Sequence, residues 1–245
     1  MIRVGAWQYP IEALASWDAW RAKLDAGVAE AARAGAELLV MPEYASMELT
    51  SLLSADEQAT LESQLAAIQA FGEPYLATIA QAARVHRVTI VGGSFPERVE
   101  GEYRNRARVI APTGEAVLVE TGANVIAVPS CTDGLAGYHR VRVACAARAL
   151  ENQCYVVQAP TVGLAPWSIA VDENVGAAGV FAPPDRGFPE DGVVALGSLT
   201  ASQILVAQLD LALVDEVRRD GQVLGHRDWS APPHLAGEVR RVRVR

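Results

Sequence analysis

Glu37-Leu38-Leu39-Val40-Met41-Pro42-Glu43-Tyr44 reads as a short buried strand, Leu38 to Met41, that runs directly into a carboxylate. An acid at the end of a buried strand costs desolvation energy unless something uses it, so Glu43 is a functional candidate. Upstream, residues 2–8 (Ile-Arg-Val-Gly-Ala-Trp-Gln) predict a first strand. Ser16 can cap a helix to about Ala34, with Trp20, Leu24, Val28 and Ala31 at helical spacing and Gly35 as its stop. Strand, helix, strand is a βαβ unit, whose second strand lies parallel to the first. In such sheets functional side chains gather beyond the carboxyl ends of strands, where Glu43 falls.

Downstream, Ser54-Ala55-Asp56-Glu57 is a capping box opening a helix through about Ala70, and Pro74 suits the first turn of another ending near His86. Val88 to Gly92 predicts a strand and Gly92-Gly93-Ser94 a turn. Ala107 to Ala111 and Ala116 to Val119 predict a hairpin around Pro112-Thr113-Gly114-Glu115. Another apolar strand, Asn124 to Val128, follows at once. A helix from about Gly137 to Asn152, a strand from Tyr155 to Ala159 and a loop over 160–176 come next. Strands near 178–182, 192–196 and 204–209 and a short helix from Leu211 complete the reading.

The chain has 245 residues, 51% hydrophobic and 20% charged, which suits one large α/β domain over 1–245, with a tail from about 225. A net charge of −8 disfavours nucleic acid or an anionic membrane as a partner, and the basic end, Arg240 to Arg245, reads as a solvated or strand-like tail. No apolar run approaches the ~20 residues of a membrane span, and the N-terminus lacks a signal peptide's pattern. Three cysteines without C-x-x-C spacing suit reduced thiols, so a cytoplasmic protein is expected. The histidines are scattered (His86, His139, His226, His234), which predicts neither a metal nor another cofactor. Of 21 basic residues only Lys23 is a lysine; it lies off the apolar stripe of the first helix and is expected at the surface.

Four segments taken in order resemble the nitrilase superfamily of carbon–nitrogen hydrolases. They are Val4 to Gln8, Glu37 to Tyr44, Tyr103 to Ile110 with Pro112-Thr113-Gly114, and Ala147 to Val156. The resemblance spans nearly the whole chain. It implies a four-layer α-β-β-α sandwich that pairs its helical faces into homodimers or larger oligomers. It also implies metal-free hydrolysis of a small non-peptide amide, nitrile or carbamoyl compound. In that family a glutamate is general base, a cysteine attacks the carbon, a lysine stabilises the oxyanion, and a second glutamate supports the array. The roles are physically apt, because a thiolate is a strong nucleophile, a carboxylate can take its proton, and a fixed cation steadies the developing charge. Glu43 matches the base.

The other members do not carry over. In the family they lie on strands and a helix that follow the hairpin near residue 119, whereas this chain passes from Val119 to Gly122 with none of that between. Elements of ordinary length there would take on the order of 30–50 residues. The scar near 119–122 reads as one internal deletion that leaves one layer incomplete and the chain without the family's lysine and cysteine. Cys145 and Cys154 read as small buried thiols. Cys131 follows a strand end and falls on the rim of the sheet with Glu43, a candidate for the pocket and a weaker one for a nucleophile. His139 on the 137–152 helix, Tyr44 and Trp167 are further pocket candidates, each with ordinary packing as the alternative. Asn152 reads as a helix C-cap.

Two functions remain open on this basis, an amidohydrolase-type enzyme or a catalytically inactive homologue (a pseudoenzyme) that binds a small molecule or a protein partner. A third possibility is that the full protein carries a segment that this sequence omits.

Overall fold

The computed structural model describes residues 1–117 and 123–228. Strand β1 (Ile2–Pro10) runs through the centre and is buried on both faces. Its side chains alternate, so Val4 and Ala6 enter one apolar cluster and Trp7 and Tyr9 another. Helix α1 (Trp17–Arg33) begins at Ser16, whose hydroxyl accepts the Ala19 N–H, and buries Trp20, Leu24, Val28 and Ala31. Strand β2 (Leu38–Val40) returns parallel to β1. After it come a 3-10 helix (Ala45–Leu52) and helices α2 (Ala55–Gln58), α3 (Leu61–Ile68) and α4 (Gly72–His86). Strand β3 (Thr89–Val99) lies parallel to β2, and β4 (Glu102–Ile110) and β5 (Ala116–Val117) add antiparallel neighbours.

A second sheet begins with β6 (Val125–Ser130), which crosses through α5 (Leu135–Asn152) to its parallel partner β7 (Tyr155–Leu164). Short β8 (Glu173–Asn174) and β9 (Gly179–Phe181) pair antiparallel with β7, and β10 (Val193–Leu196) pairs with β9. Strand β11 (Gln203–Leu209) then returns to the first sheet, antiparallel to β1, and α6 (Leu211–Asp220) and α7 (Gly225–Asp228) follow. None of the described helices is long and apolar enough to cross a membrane.

The clusters define the layers. Residues of α1 and α4 pack with Trp7, Leu39, Met41 and Ile90 on one face of the first sheet. The opposite face, through Val4, Ala6, Val40 and Val91, meets Tyr155, Val157 and Ala159 of the second sheet. The outer face of that sheet, Val156 and Phe181, packs on Cys145 and Ala149 of α5. The fold is therefore an α-β-β-α sandwich of the expected class. Its two sheets join where Tyr9 and Pro10 of β1 meet Thr161 and Val162 of β7.

Several boundaries differ from expectation. The helix read over 55–70 breaks in two, because Thr60 caps a new start and receives the Ser63 N–H. The Gly92-Gly93 pair does not end β3; Gly93 makes a bulge there, with φ +68°, and a Cβ on it would lie 2.5 Å from the Pro42 carbonyl oxygen. Part of the loop expected over 160–176 is strand, as β7 runs to Leu164 and β8 follows. The C-cap of α5 is Gln153, in the left-handed conformation, while the Asn152 side chain donates back to the Arg148 carbonyl. The expected scar at 119–122 and the tail beyond 228 lie outside the described residues.

Among the described residues β6 pairs on one side only, with β7. Beside it opens a cavity of about 400 Å³ lined by Leu38, Val91, Val109, Val125, Ala127 and Pro129. Its walls are apolar residues of both sheets.

Candidate functional site around Glu43

Glu43 stands at the carboxyl end of β2, half-buried. Its carboxylate accepts the side-chain amide of Asn105, on β4, at 2.8 Å, and the backbone N–H of Cys131, just past β6. Its own carbonyl accepts the Thr161 hydroxyl of β7 at 2.8 Å. Residues on two strands and just past a third, from both sheets, thus fix one residue. Burial pushes the Glu43 carboxyl above its ordinary range, and the two donors only partly offset this. A raised carboxyl is a stronger proton acceptor.

Cys131 is the thiol beside it. Burial first, and the Glu43 charge second, hold this thiol up at about 12; Asp133 adds to the rise and the Thr161 hydroxyl opposes it. The Sγ–H donates to Asn174 Oδ1 at 3.0 Å, as a neutral thiol does. Asn174 is itself fixed, donating to the Val171 and Gly163 carbonyls. The expectation of a chain without the family's cysteine needs correction. Cys145 is present on α5, and Cys131 reaches the Glu43 carboxylate. Cys145 itself is buried with Ala149, Cys154, Val156 and Phe181, and burial holds its thiol at about 11.

Lys23 also departs from expectation. Rather than lying free at the surface, it is mostly buried, with 17% of its side chain exposed, and pairs with the fully buried Glu48 at 2.5 Å. It further meets Glu12 at 3.2 Å and the Pro10 carbonyl, and sits over the Tyr9 ring. Its position off the apolar stripe of α1 was legible; the partner waiting there was not, because Glu48 comes from a separate element.

Tyr44 follows Glu43 in a left-handed conformation, φ +56°, and packs at the edge of the helix-side core together with Cys131 and Trp167. Burial and the neighbouring Glu43 raise its phenol. The Trp167 indole N–H is buried with no hydrogen-bond partner. His139 is not drawn into this group; it is exposed on α5 and packs against the Tyr138 ring. Asn105, Thr161 and Asn174 escaped the sequence reading. Thr161 and Asn174 lay in a stretch read as loop, and only Asn105 fell in a segment already singled out. Among the described residues no three His, Cys, Asp or Glu side chains gather as a metal site requires.

The sequence pattern of the carbon–nitrogen hydrolase family matches residues 3–122. The chain is 26% identical to the probable hydrolase YhcX of Bacillus subtilis (strain 168), covering 93% of this chain and 53% of the relative. It therefore spans about half the length of the curated relative it matches. That match extends over 276 aligned positions, more than the 245 residues of the whole chain, so the relative carries residues with no counterpart here. Among solved structures, the C. elegans NitFhit protein superposes with a TM-score of 0.67 at 17% identity, covering 89% of this chain and 62% of that one. A double mutant of the amidase from Nesterenkonia sp. AN1, in complex with acrylamide, superposes with a TM-score of 0.58 at 17% identity, covering 93% and 97%. Over residues 3–122 the matched sequence supports assignment to the nitrilase superfamily of carbon–nitrogen hydrolases, and the solved structures share the sandwich fold.

Proposed function

We propose that the Glu43 site acts on a small non-peptide amide, nitrile or carbamoyl compound, with Glu43 as proton acceptor and Cys131 in the nucleophile's place. The observation that carries this reading is the convergence of a raised, half-buried carboxyl with a thiol that feels its charge. For an amide, the Cys131 proton passes to Glu43 as sulfur bonds to the carbonyl carbon. Collapse of the tetrahedral adduct breaks the C–N bond, and the leaving nitrogen takes the proton from Glu43. Water, deprotonated by the same carboxylate, then attacks the thioester, and its collapse releases the acid and restores the thiol. Lys23 is committed to Glu48 and Glu12, so the oxyanion lacks the lysine that the family resemblance implies. Loss of one oxyanion donor typically costs about 10²–10³ in turnover, so slow hydrolysis is expected.

A second reading is binding without turnover. The thiol held at about 12 and its bond to Asn174 favour it. A panel of short aliphatic amides separates the two. Ammonia release that disappears in both Glu43→Gln and Cys131→Ala supports the enzyme. Ligand-induced stabilisation with no ammonia supports the binder.

The same proposal includes an internal deletion near residue 120. The family match ends at 122, the aligned relative is longer across the matched region, and among the described residues β6 pairs on one side only. Intact mass, with sequencing of the coding DNA across residues 110–130, tests it. A larger mass that includes an added lysine and cysteine would restore the full hydrolase set. Homodimers or larger assemblies through the helical faces, in the cytoplasm, complete the proposal, and light scattering on the purified chain tests the assembly.

A further inference from the structure

The chain's one lysine and a buried glutamate form a cluster that the chemistry above does not use. Glu48 is 0% exposed and lies on the 3-10 helix that begins two residues after Glu43. Its carboxylate accepts Lys23 Nζ at 2.5 Å, the Glu12 backbone N–H at 2.7 Å and the Tyr9 hydroxyl. Burying a charge pair of this kind rarely stabilises a protein more than apolar packing would, so its value lies in fixing one geometry.

That geometry is the corner carrying Glu43. The near end of the corner is held by the Thr161 hydroxyl on the Glu43 carbonyl and by the Tyr44 N–H on Ser94 Oγ, at 2.9 Å. The far end is held at Glu48. Between them Tyr44 adopts a left-handed backbone that a non-glycine residue keeps only when its surroundings over-determine it. Tyr9 and Thr161 are direct partners in the β1–β7 pairing, so the two anchors rest on one structural level.

We propose that Glu48 is a positioning residue for Glu43: with Lys23 and Tyr9 it locks the far end of the corner on which the Glu43 carboxylate stands. This rests on the reading of Glu43 as the proton acceptor. The groups facing that carboxylate are Asn105 from β4, Cys131 beyond β6 and the neighbouring Tyr44, with Asp133 acting on Cys131. Loosening the corner lets water reach Glu43 and removes the burial that raises it.

The test is a titration of the full chain labelled with carboxyl-13C glutamate, the Glu43 signal being assigned by its loss in Glu43→Gln. In the wild type its midpoint lies above the ordinary carboxylate range. In Glu48→Gln and in Lys23→Met it shifts down toward that range, and Lys23→Arg keeps the wild-type midpoint. Lowered melting temperatures with an unmoved Glu43 midpoint would show a purely structural cluster and overturn the proposal. Should Glu48→Gln fail to fold, Lys23→Met decides. An ordinary midpoint in the wild type would overturn the proton-acceptor reading and the positioning role together.

Discussion

Tyr9 on β1 and Thr161 on β7 lie opposite one another in parallel register, and each holds one end of the segment from Glu43 to Glu48. The Thr161 hydroxyl binds the Glu43 carbonyl, and the Tyr9 hydroxyl binds the Glu48 carboxylate. The junction between the two sheets is thus also the foundation of the candidate site. A group held from both sheets is sensitive to changes in either.

Glu43 should be a liability to stability. Its folded carboxyl is raised, chiefly by burial, so the fold favours the protonated form. The contribution of that form is fully present below the ordinary value of 4.5 and is lost as pH rises through the folded value. Glu43→Gln is therefore expected to melt at a higher temperature than the wild type near neutrality, with the gain vanishing on acidification. Melting curves across pH for both proteins check this, and a variant that is less stable at neutral pH contradicts it.

Cys131 should resist alkylation. With its thiol raised from 9.0 to about 12, the thiolate population near neutral pH is lower by about three orders of magnitude than that of an ordinary cysteine. Its neutral form contributes to stability below about 9, and that contribution is lost as pH rises through about 12. Iodoacetamide labelling followed by peptide mass spectrometry is expected to be slow at Cys131 and to quicken in Glu43→Gln, which removes the neighbouring charge. Rapid labelling in the wild type would show a thiol outside the influence of Glu43.

Gly93→Ala should damage the fold and the site together. At φ +68° an added methyl is strained, and the Cβ would press on the Pro42 carbonyl 2.5 Å away, immediately before Glu43. A cost of about 1–3 kcal/mol is expected from the backbone conformation alone. Urea denaturation measures that cost, and the Glu43 titration reports the displaced corner.

The apolar cavity beside β6 should bind a hydrophobic dye. Ala107 is exposed on β4 at its rim, so Ala107→Lys is expected to weaken dye binding while changing stability by no more than about 0.5 kcal/mol. A cavity open on this side, beside a strand that among the described residues pairs only with β7, also favours self-association and a low melting temperature. A sharp, high transition for a monomer would count against that expectation.

The layered fold was legible because it rests on periodicity. The first strand and the helical stripe of α1 each depend on near neighbours, and both appear as expected. Glu43 was legible for the same reason, since a carboxylate ending an apolar run is a local anomaly. The break at Thr60 and the Gly93 bulge were missed where capping chemistry and close packing overrode a plausible local pattern.

From the residues alone came the class of the fold, the family resemblance and the choice of Glu43. Tertiary structure alone decided what that carboxylate meets. Asn105, Cys131 and Thr161 lie far apart in the chain and converge only when two sheets close on each other. Lys23 likewise becomes a buried partner of Glu48 only when α1 packs over the 3-10 helix. The physical reason is range: helical and strand patterns are set by neighbours a few residues apart, whereas desolvation and charge pairing depend on what the rest of the chain brings near.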